Sequence, residues 1–274
     1  MKSLGDMLLN TGPFSEIVLG NTALARAMIE SGTEVIASYP GSPTPEIGAA
    51  LMSVPKERRP YYFEFSTNEK VATEVACGAS LNGRPSCVFF KSVGLNVAAD
   101  SFVQLSLLEL NGGLVAILGD DPGANSSQNE QDNRHIARLA YIPVLEPASP
   151  AEAYTFYLEA MKLSRKRKMP VILRMTTHVC HGKEKVSFAG WTPRPIGSVP
   201  AFDSSAGPSI PLTTRALDMK RRAIARLAEV AQETDGSPLH ELREGNDPSK
   251  GVITAGLPFR SLVAVLEDAA ATPA

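Results

Sequence analysis

Four polar segments, each following a short apolar run, hold the side chains most able to do chemistry. Ser38-Tyr39-Pro40-Gly41-Ser42-Pro43 presents hydroxyls on a turn. Ser66-Thr67-Asn68-Glu69 places a carboxylate three residues after a hydroxyl, and Lys91-Ser92-Val93-Gly94-Leu95-Asn96 combines an ammonium, a hydroxyl and an amide. The fourth, Gly119 to Arg134, is the densest, with Asp120, Asp121, Asn125, Ser126, Ser127, Gln128, Asn129, Glu130, Gln131, Asp132 and Arg134. Sixteen residues is long for such a connection, and long ordered loops usually carry function. Several common chemistries are absent. No GxGxxG follows the first apolar run, where Leu19-Gly20-Asn21-Thr22 stands, and neither GxxxxGK[ST] nor GxSxG occurs. His135, His178, His181 and His240 form no HExxH, and His178 and His181 read as ordinary residues at a strand end rather than metal ligands.

The elements that must position these loops follow one grammar from Glu16 to about Cys180: an apolar β-rich run, a loop with Gly or Pro, then a stretch of helical period. The expected strands are Glu16 to Leu19, Glu34 to Ser38, Tyr61 to Phe65, Ser86 to Phe90, Leu114 to Leu118 and Val171 to Met175. The expected helices are Thr22 to Ser31, Pro45 to Val54, Thr67 to Leu81, Val97 to Leu110 and Pro150 to Arg167. Such alternation predicts an α/β fold, a parallel sheet flanked by helices. Continuous apolar runs such as Val88-Phe89-Phe90 suit strands covered on both faces. In such sheets ligands bind beyond the carboxyl ends of the strands, which is where the four polar loops fall.

After Cys180 the grammar stops. Pro193, Pro195, Pro200, Pro208 and Pro211 among Ser and Gly predict an extended Pro-rich linker. Thr213 to Glu233 reads as one amphipathic helix, with Leu217, Ile224, Leu227 and Val230 on its apolar stripe and Lys220, Arg221, Arg222 and Arg226 on a solvated face. A strand-like Gly251 to Ala255 and a helix-like Pro258 to Ala269 complete a βα tail, too small to bury a core alone and expected to dock on its own domain or on another chain. The expected division is residues 14–182, a ligand-binding domain; 183–212, the linker; and 213–274, the tail.

Composition sets outer bounds. The 274 residues are 43% hydrophobic and 20% charged, as in globular proteins. With 27 Lys and Arg against 29 Asp and Glu, the net charge of -2 gives no whole-chain attraction to nucleic acid or anionic membrane. Cys77, Cys87 and Cys180 form no CxxC pair and read as buried thiols of a reducing compartment. No secretory leader and no uncharged apolar stretch of membrane-spanning length is evident, which leads us to expect a soluble cytoplasmic protein.

Taken together, Ser38 to Pro43, the run Glu64-Phe65-Ser66-Thr67-Asn68-Glu69-Lys70-Val71-Ala72, Val93-Gly94-Leu95-Asn96-Val97-Ala98-Ala99-Asp100, and Asp120-Asp121-Pro122-Gly123 with Ser126 to Asp132 closely resemble the thiamine diphosphate-dependent 2-oxoacid:ferredoxin oxidoreductases, in particular the alpha subunits of indolepyruvate ferredoxin oxidoreductases. The resemblance is good over residues 14 to 182 and weaker around Gly251 to Ala269. It implies that residues 14–182 are the pyrimidine-binding domain, the half of the active site that grips the cofactor's aminopyrimidine ring. It further implies that Glu69 hydrogen-bonds a ring nitrogen and favours the imino tautomer that deprotonates the thiazolium carbon. A carboxyl group beside a ring in an apolar crevice has its charged form disfavoured and can share a proton. Read locally, Ser66 to Glu69 also spells a capping box, with Ser66 as N-cap and Glu69 reaching back to its amide.

By the same resemblance Gly94, Leu95 and Asn96 line the cofactor pocket, although locally they make an ordinary strand-to-helix turn. Ser42 would contact the 2-oxoacid carboxylate, or it simply orders a Pro-Gly turn. Asp120, Asp121, Gln128, Asn129, Glu130 and Asp132 line the substrate mouth or an interface, or form a solvated loop. Ser92 and Asn125 fall on the substrate side where the family pattern has histidine, a departure that removes two groups able to move protons near neutral pH.

The Gly-Asp-Gly and Asn-Asn marks of a magnesium diphosphate site are missing, as are ferredoxin-like cysteine runs. The resemblance therefore implies a separate chain supplying Mg2+ and Fe-S clusters, in a hetero-oligomer. The expected reaction is oxidative decarboxylation of an aryl-type 2-oxoacid such as indolepyruvate to an acyl-CoA. A silent assembly or regulatory subunit, and half of a nonoxidative thiamine-dependent decarboxylase, are the competing readings.

Overall fold

A computed structural model describes residues 3–194, 202, 205, 210–244 and 249–271. In chain order the elements are α1 (Leu4–Leu8), β1 (Phe14–Leu19), α2 (Gly20–Glu30), β2 (Val35–Ser38), α3 (Pro45–Met52), β3 (Tyr62–Phe65), α4 (Glu69–Leu81), β4 (Ser86–Lys91), α5 (Gly94–Phe102) and β5 (Leu114–Asp120). There follow α6 (Arg134–Leu139), β6 (Val144–Leu145), α7 (Pro150–Arg167), β7 (Pro170–Thr176), α8 (Thr177–His181), β8 (Lys183–Phe188), α9 (Thr213–Thr234) and α10 (Leu257–Ala271).

Six strands form one sheet in the order β3-β2-β4-β5-β7-β6, and every neighbouring pair is parallel. β5 and β7 are buried along their whole length, as the continuous apolar runs require. The pleat divides their side chains between two cores. Ile36, Cys87, Phe89, Val115, Ile117, Val171 and Leu173 face α2, α3 and α7. Val88, Phe90, Ala116, Leu118 and Ile172 face α4 and α5 with Ala72, Ala76, Leu95, Ala98 and Phe102. Helix ends are set locally. Ser149 caps α7 by accepting from the Glu152 amide, Pro150 opens its first turn, and Lys168 ends it in the left-handed region at φ 50°.

The expected first strand is displaced. β1 lies outside the parallel sheet and pairs antiparallel with β8, from Phe14↔Phe188 to Leu19↔Lys183. Ser15, Glu16 and Ile17 are exposed, a half-covered pattern that a strand buried on both faces cannot have. Its partner Lys183–Phe188 begins where the linker was expected, and alternating exposure marks it as a strand with one wet face. The two-residue β6 was also unforeseen, and the helix expected over Val97 to Leu110 is α5 followed by a separate 3-10 turn at Leu105–Leu107.

The ribbon is tied to the body through Arg26, which is fully buried on α2. Its guanidinium lies 5.1 Å from the Phe14 ring and 5.8 Å from the Phe188 ring. Nε donates to Glu30 at 2.6 Å and Nη1 to the Leu8 carbonyl at 2.7 Å.

Of the tail, α9 buries Met219, Ala223 and Val230 and leaves Leu217 and Ile224 exposed, so its inner stripe is shifted from the expected one. Arg226 is not on a solvated face, because its guanidinium donates to the Ser106 carbonyl at 2.6 Å. Gly251 to Ala255 makes no strand, with Val252 and Ile253 exposed. α10 docks on the domain through Arg260 and Glu152 at 2.6 Å. Pro195, Pro200 and Pro208 of the expected linker lie outside the described residues.

Arg26→Met would leave the Glu30 carboxylate with the Tyr154 hydroxyl and the Gly190 amide but without its counter-charge. We expect it to cost about 3 kcal/mol, visible as a lower urea midpoint with an unchanged slope.

Candidate active site

Connections from β2 and β4 leave the sheet in opposite directions. α3 packs with Ile47 and Leu51 on one face, and α5 packs with Leu95 and Ala98 on the other. Strand order also reverses here, since β3 lies on one side of β2 and β4 on the other. That divergence opens a crevice at the carboxyl ends, the usual ligand position in open parallel sheets. The loops after β2, β3, β4 and β5 all reach it, as the sequence spacing predicts.

Glu69 opens α4 beside this crevice and is 4% exposed. The capping box does not form. The N-cap is Asn68, whose Oδ1 accepts from the Val71 amide at 2.9 Å. The Ser66 amide is given to the Ser38 carbonyl at 2.8 Å and its hydroxyl to Glu64 at 2.7 Å. Glu69 is therefore not needed to start its own helix. Among the described residues its carboxylate has no hydrogen-bond donor. Its side chain lies instead over Gly94, where a Cβ would sit 2.5 Å from Oε1 and 2.7 Å from Cγ. Gly94 supplies the room that keeps this acid at the crevice. A carboxylate with its acceptor capacity unused at a crevice is a candidate functional group.

Ser42 follows β2 beside a cis bond to Pro43 and accepts a hydrogen bond from the Ser126 hydroxyl at 3.0 Å. Asp121 organises the opposite wall. Its Oδ2 accepts from the amides of Ser126 at 2.7 Å and Ser127 at 3.1 Å, and its Oδ1 from the Thr177 hydroxyl at 2.7 Å and the Asn125 amide at 3.3 Å. Burial works against ionisation here, but the Ser126 amide, the Thr177 hydroxyl and the other donors outweigh it and hold this carboxyl well below its usual range. Asn125 stays within its own loop, donating also to the Pro122 carbonyl at 3.1 Å.

Ser92 is buried beneath the loop. Asn133 ties it down, donating to the Ser92 carbonyl at 3.2 Å and to Asp120. Burial pushes the Asp120 carboxyl up, while Arg174 pulls it down from 2.7 Å. Arg174 also meets Glu146 at 2.7 Å. Asn96 turns its amide to Gln131 in a reciprocal pair at 2.9 Å, and Gln131 reaches Asn133 at 2.7 Å. Leu95 packs wholly in the core with Phe90 and Ala98. Of the outer loop, Gln128 accepts from Lys91, Glu130 from the Gly123 amide and Asp132 from Arg134, while Asn129 is exposed.

The structure thus brings Glu69 to Gly94 and Ser42 to Ser126, with Ser92 and Asn96 in the network between them. Sequence reading passed over Asn133 and Arg174. A single charge inside the apolar run Val171 to Met175 was the available signal for Arg174. His181 stands 3.5 Å from Glu46, and among the described residues no group of three or more His, Cys, Asp and Glu could hold a metal ion.

Comparison with known proteins gives consistent results. A family model described as pyruvate flavodoxin/ferredoxin oxidoreductase, thiamine diphosphate-binding, matches residues 26–219. "Indolepyruvate oxidoreductase subunit IorA" of Methanothermobacter marburgensis is 39% identical over 96% of this chain and 42% of its own length. Its counterpart in Methanothermobacter thermautotrophicus is 42% identical over 92% and 40%. The "2-oxoglutarate synthase subunit KorA" of Archaeoglobus fulgidus is 23% identical over 70% and 55%. Among solved structures, 2-oxoglutarate:ferredoxin oxidoreductase from Magnetococcus marinus, with 2-oxoglutarate, coenzyme A and succinyl-CoA bound, superposes with a TM-score of 0.64 at 15% identity, over 80% of this chain and 45% of that one. The chain spans about two fifths of the length of the indolepyruvate relatives it matches. No helix among the described residues is long and apolar enough to cross a membrane.

Asp121→Asn removes an acceptor shared by two backbone amides. We expect a loss of about 1 to 3 kcal/mol, read from urea midpoints. Because the folded carboxyl is depressed, this contribution is full above the unfolded value of about 4 and is lost as pH falls through the folded one. The gap between wild type and variant should be constant from pH 7 to 5 and shrink below pH 4.

Proposed function

The chain belongs to the thiamine diphosphate-binding family of the pyruvate flavodoxin/ferredoxin oxidoreductases, and from that premise we infer that it is the pyrimidine-binding part of a thiamine diphosphate-dependent 2-oxoacid oxidoreductase of the indolepyruvate or arylpyruvate type. One observation carries the reading: Glu69 is buried at the crevice with no donor among the described residues, and Gly94 leaves a space beside it that a Cβ would fill. A buried acceptor of this kind fits a heteroaromatic ring nitrogen as its missing partner. The similarity to indolepyruvate oxidoreductase subunits supports the substrate class.

When bound, thiamine diphosphate supplies the carbanion chemistry by which a 2-oxoacid loses carbon dioxide. This chain's part is orientation and proton control. Glu69, with its carboxylate open to the crevice, would hold a proton at the pyrimidine ring nitrogen. Gly94 and Asn96 border the ring, and Leu95 sets the start of α5 from the core behind them. Ser42, with Ser126 held by Asp121, faces the substrate carboxylate, and Ser92 and Asn125 support that wall.

The diphosphate, Mg2+ and the Fe-S clusters that take two electrons belong, in this proposal, to a separate subunit of a cytoplasmic hetero-oligomer. CoA is the acyl acceptor. Tyr39, Phe65, Val71 and Val97 are exposed on the segments that border the crevice, which suits a face covered by a second chain.

Glu69→Gln tests the reading in the complex assembled with that partner. We expect turnover in 2-oxoacid-dependent dye reduction to fall by roughly 10² or more, with little change in melting temperature because Asn68 caps α4. Unchanged turnover refutes the assignment. Gly94→Ala should displace the Glu69 carboxylate and lower bound thiamine diphosphate as well as turnover.

A further inference from the structure

Lys91 ends β4 at the point where strand order reverses, between the loops that follow β2 and β5. It pairs in register with Gly119, just before Asp120 and Asp121. Its stem packs on Gly41, where a Cβ would come within 2.7 Å of Lys91 Cδ. Its ammonium donates to Gln128 Oε1 at 3.2 Å, and no carboxylate among the described residues pairs with it. Other cations at this end of the sheet are neutralised: Arg174 by Asp120 and Glu146, Arg134 by Asp132 and Glu146, and Lys70 by Asp100. The carboxylate of the adjoining wall, Asp121, is already taken by the Ser126 and Ser127 amides and the Thr177 hydroxyl.

An ammonium on a half-buried stem, with an amide oxygen as its protein partner and no carboxylate paired with it, has capacity for an anion. Gly41, on which its stem rests, adjoins Ser42, and Ser42 in turn meets Ser126, two residues from Gln128. We propose that Lys91 binds the carboxylate of the 2-oxoacid, with the Ser42 and Ser126 hydroxyls as the neighbouring donors, and so sets the crevice's selectivity for anionic substrates. The inference rests on the 2-oxoacid reading above. It adds a charge that neither the polar turn nor Glu69 provides. Gln128 serves as the partner that holds the ammonium when no substrate is present.

The test uses the assembled complex and two probes, phenylpyruvate in turnover and phenyllactate, which carries the carboxylate but cannot be decarboxylated, in calorimetric titration. Lys91→Met keeps the unbranched stem against Gly41 and deletes the charge. We expect the phenylpyruvate KM and the phenyllactate Kd each to rise about 10- to 100-fold, with kcat, bound thiamine diphosphate and melting temperature little changed. Lys91→Arg should recover most of the binding. Unaltered KM and Kd in Lys91→Met, or a wild-type complex that does not bind phenyllactate, overturns the proposal. Phenyllactate titration reads Lys91 independently of cofactor chemistry, so a loss of binding supports it even where Glu69→Gln leaves turnover intact.

Discussion

Glu69 exposes little of its surface, and among the described residues its carboxylate has no hydrogen-bond donor, so its bonding capacity is left open toward the crevice. The surrounding architecture is what keeps it in place. Asn68 performs the capping that Glu69 would otherwise do, and α4 is anchored through Ala72 and Ala76 in the core. Gly94 leaves the volume into which the side chain leans. Removing any one of these three conditions would let the carboxylate turn away from the crevice or to a backbone amide, and the site would be lost.

The other acids of the crevice are handled in the opposite way. Asp121 is saturated by donors from two segments, residues 125–127 and Thr177, and Asp120 is held by Arg174 and Asn133. Those two build walls, because a carboxylate with every lone pair used has little left for a ligand. The contrast separates scaffold from candidate chemistry without reference to any relative. Side chains whose bonding capacity is spent hold the loop of residues 120 to 134, and Glu69, whose capacity is open, faces the space between the loops.

Much of this was legible in the sequence where a single physical rule dominated. The runs Val88-Phe89-Phe90 and Val171-Ile172-Leu173 could be satisfied only by a strand covered on both faces, and both are central strands. Ser66 to Glu69 was ambiguous because a capping box and a functional acid share one spelling. Only the competition between Ser66 and Asn68 for the cap, decided by the Ser66 amide joining the β2 ladder, resolves it. β1 was misplaced because its apolar character says that it is a strand but not which strand it pairs with. Its partner, Lys183 to Phe188, is charged on its wet face and resembles loop. Asn133 and Arg174 gave weak local signals, since their roles depend on contacts with Ser92, Asp120 and Glu146 far along the chain.

The topology explains why polar loops spaced so widely in sequence can serve one crevice. In a parallel sheet every strand delivers its following loop to the same edge, so Ser42, Glu69, Ser92 and Asp121 arrive there whatever their separation along the chain. The reversal between β2 and β4 then decides which of them lie on opposite walls. α3 departs toward one face and α5 toward the other, leaving the loop after β2 and the loop after β4 unblocked by either helix. Strand order thus brings these loops to one edge, and the identities of residues 69, 91 and 94 determine what the gap between β2 and β4 can hold.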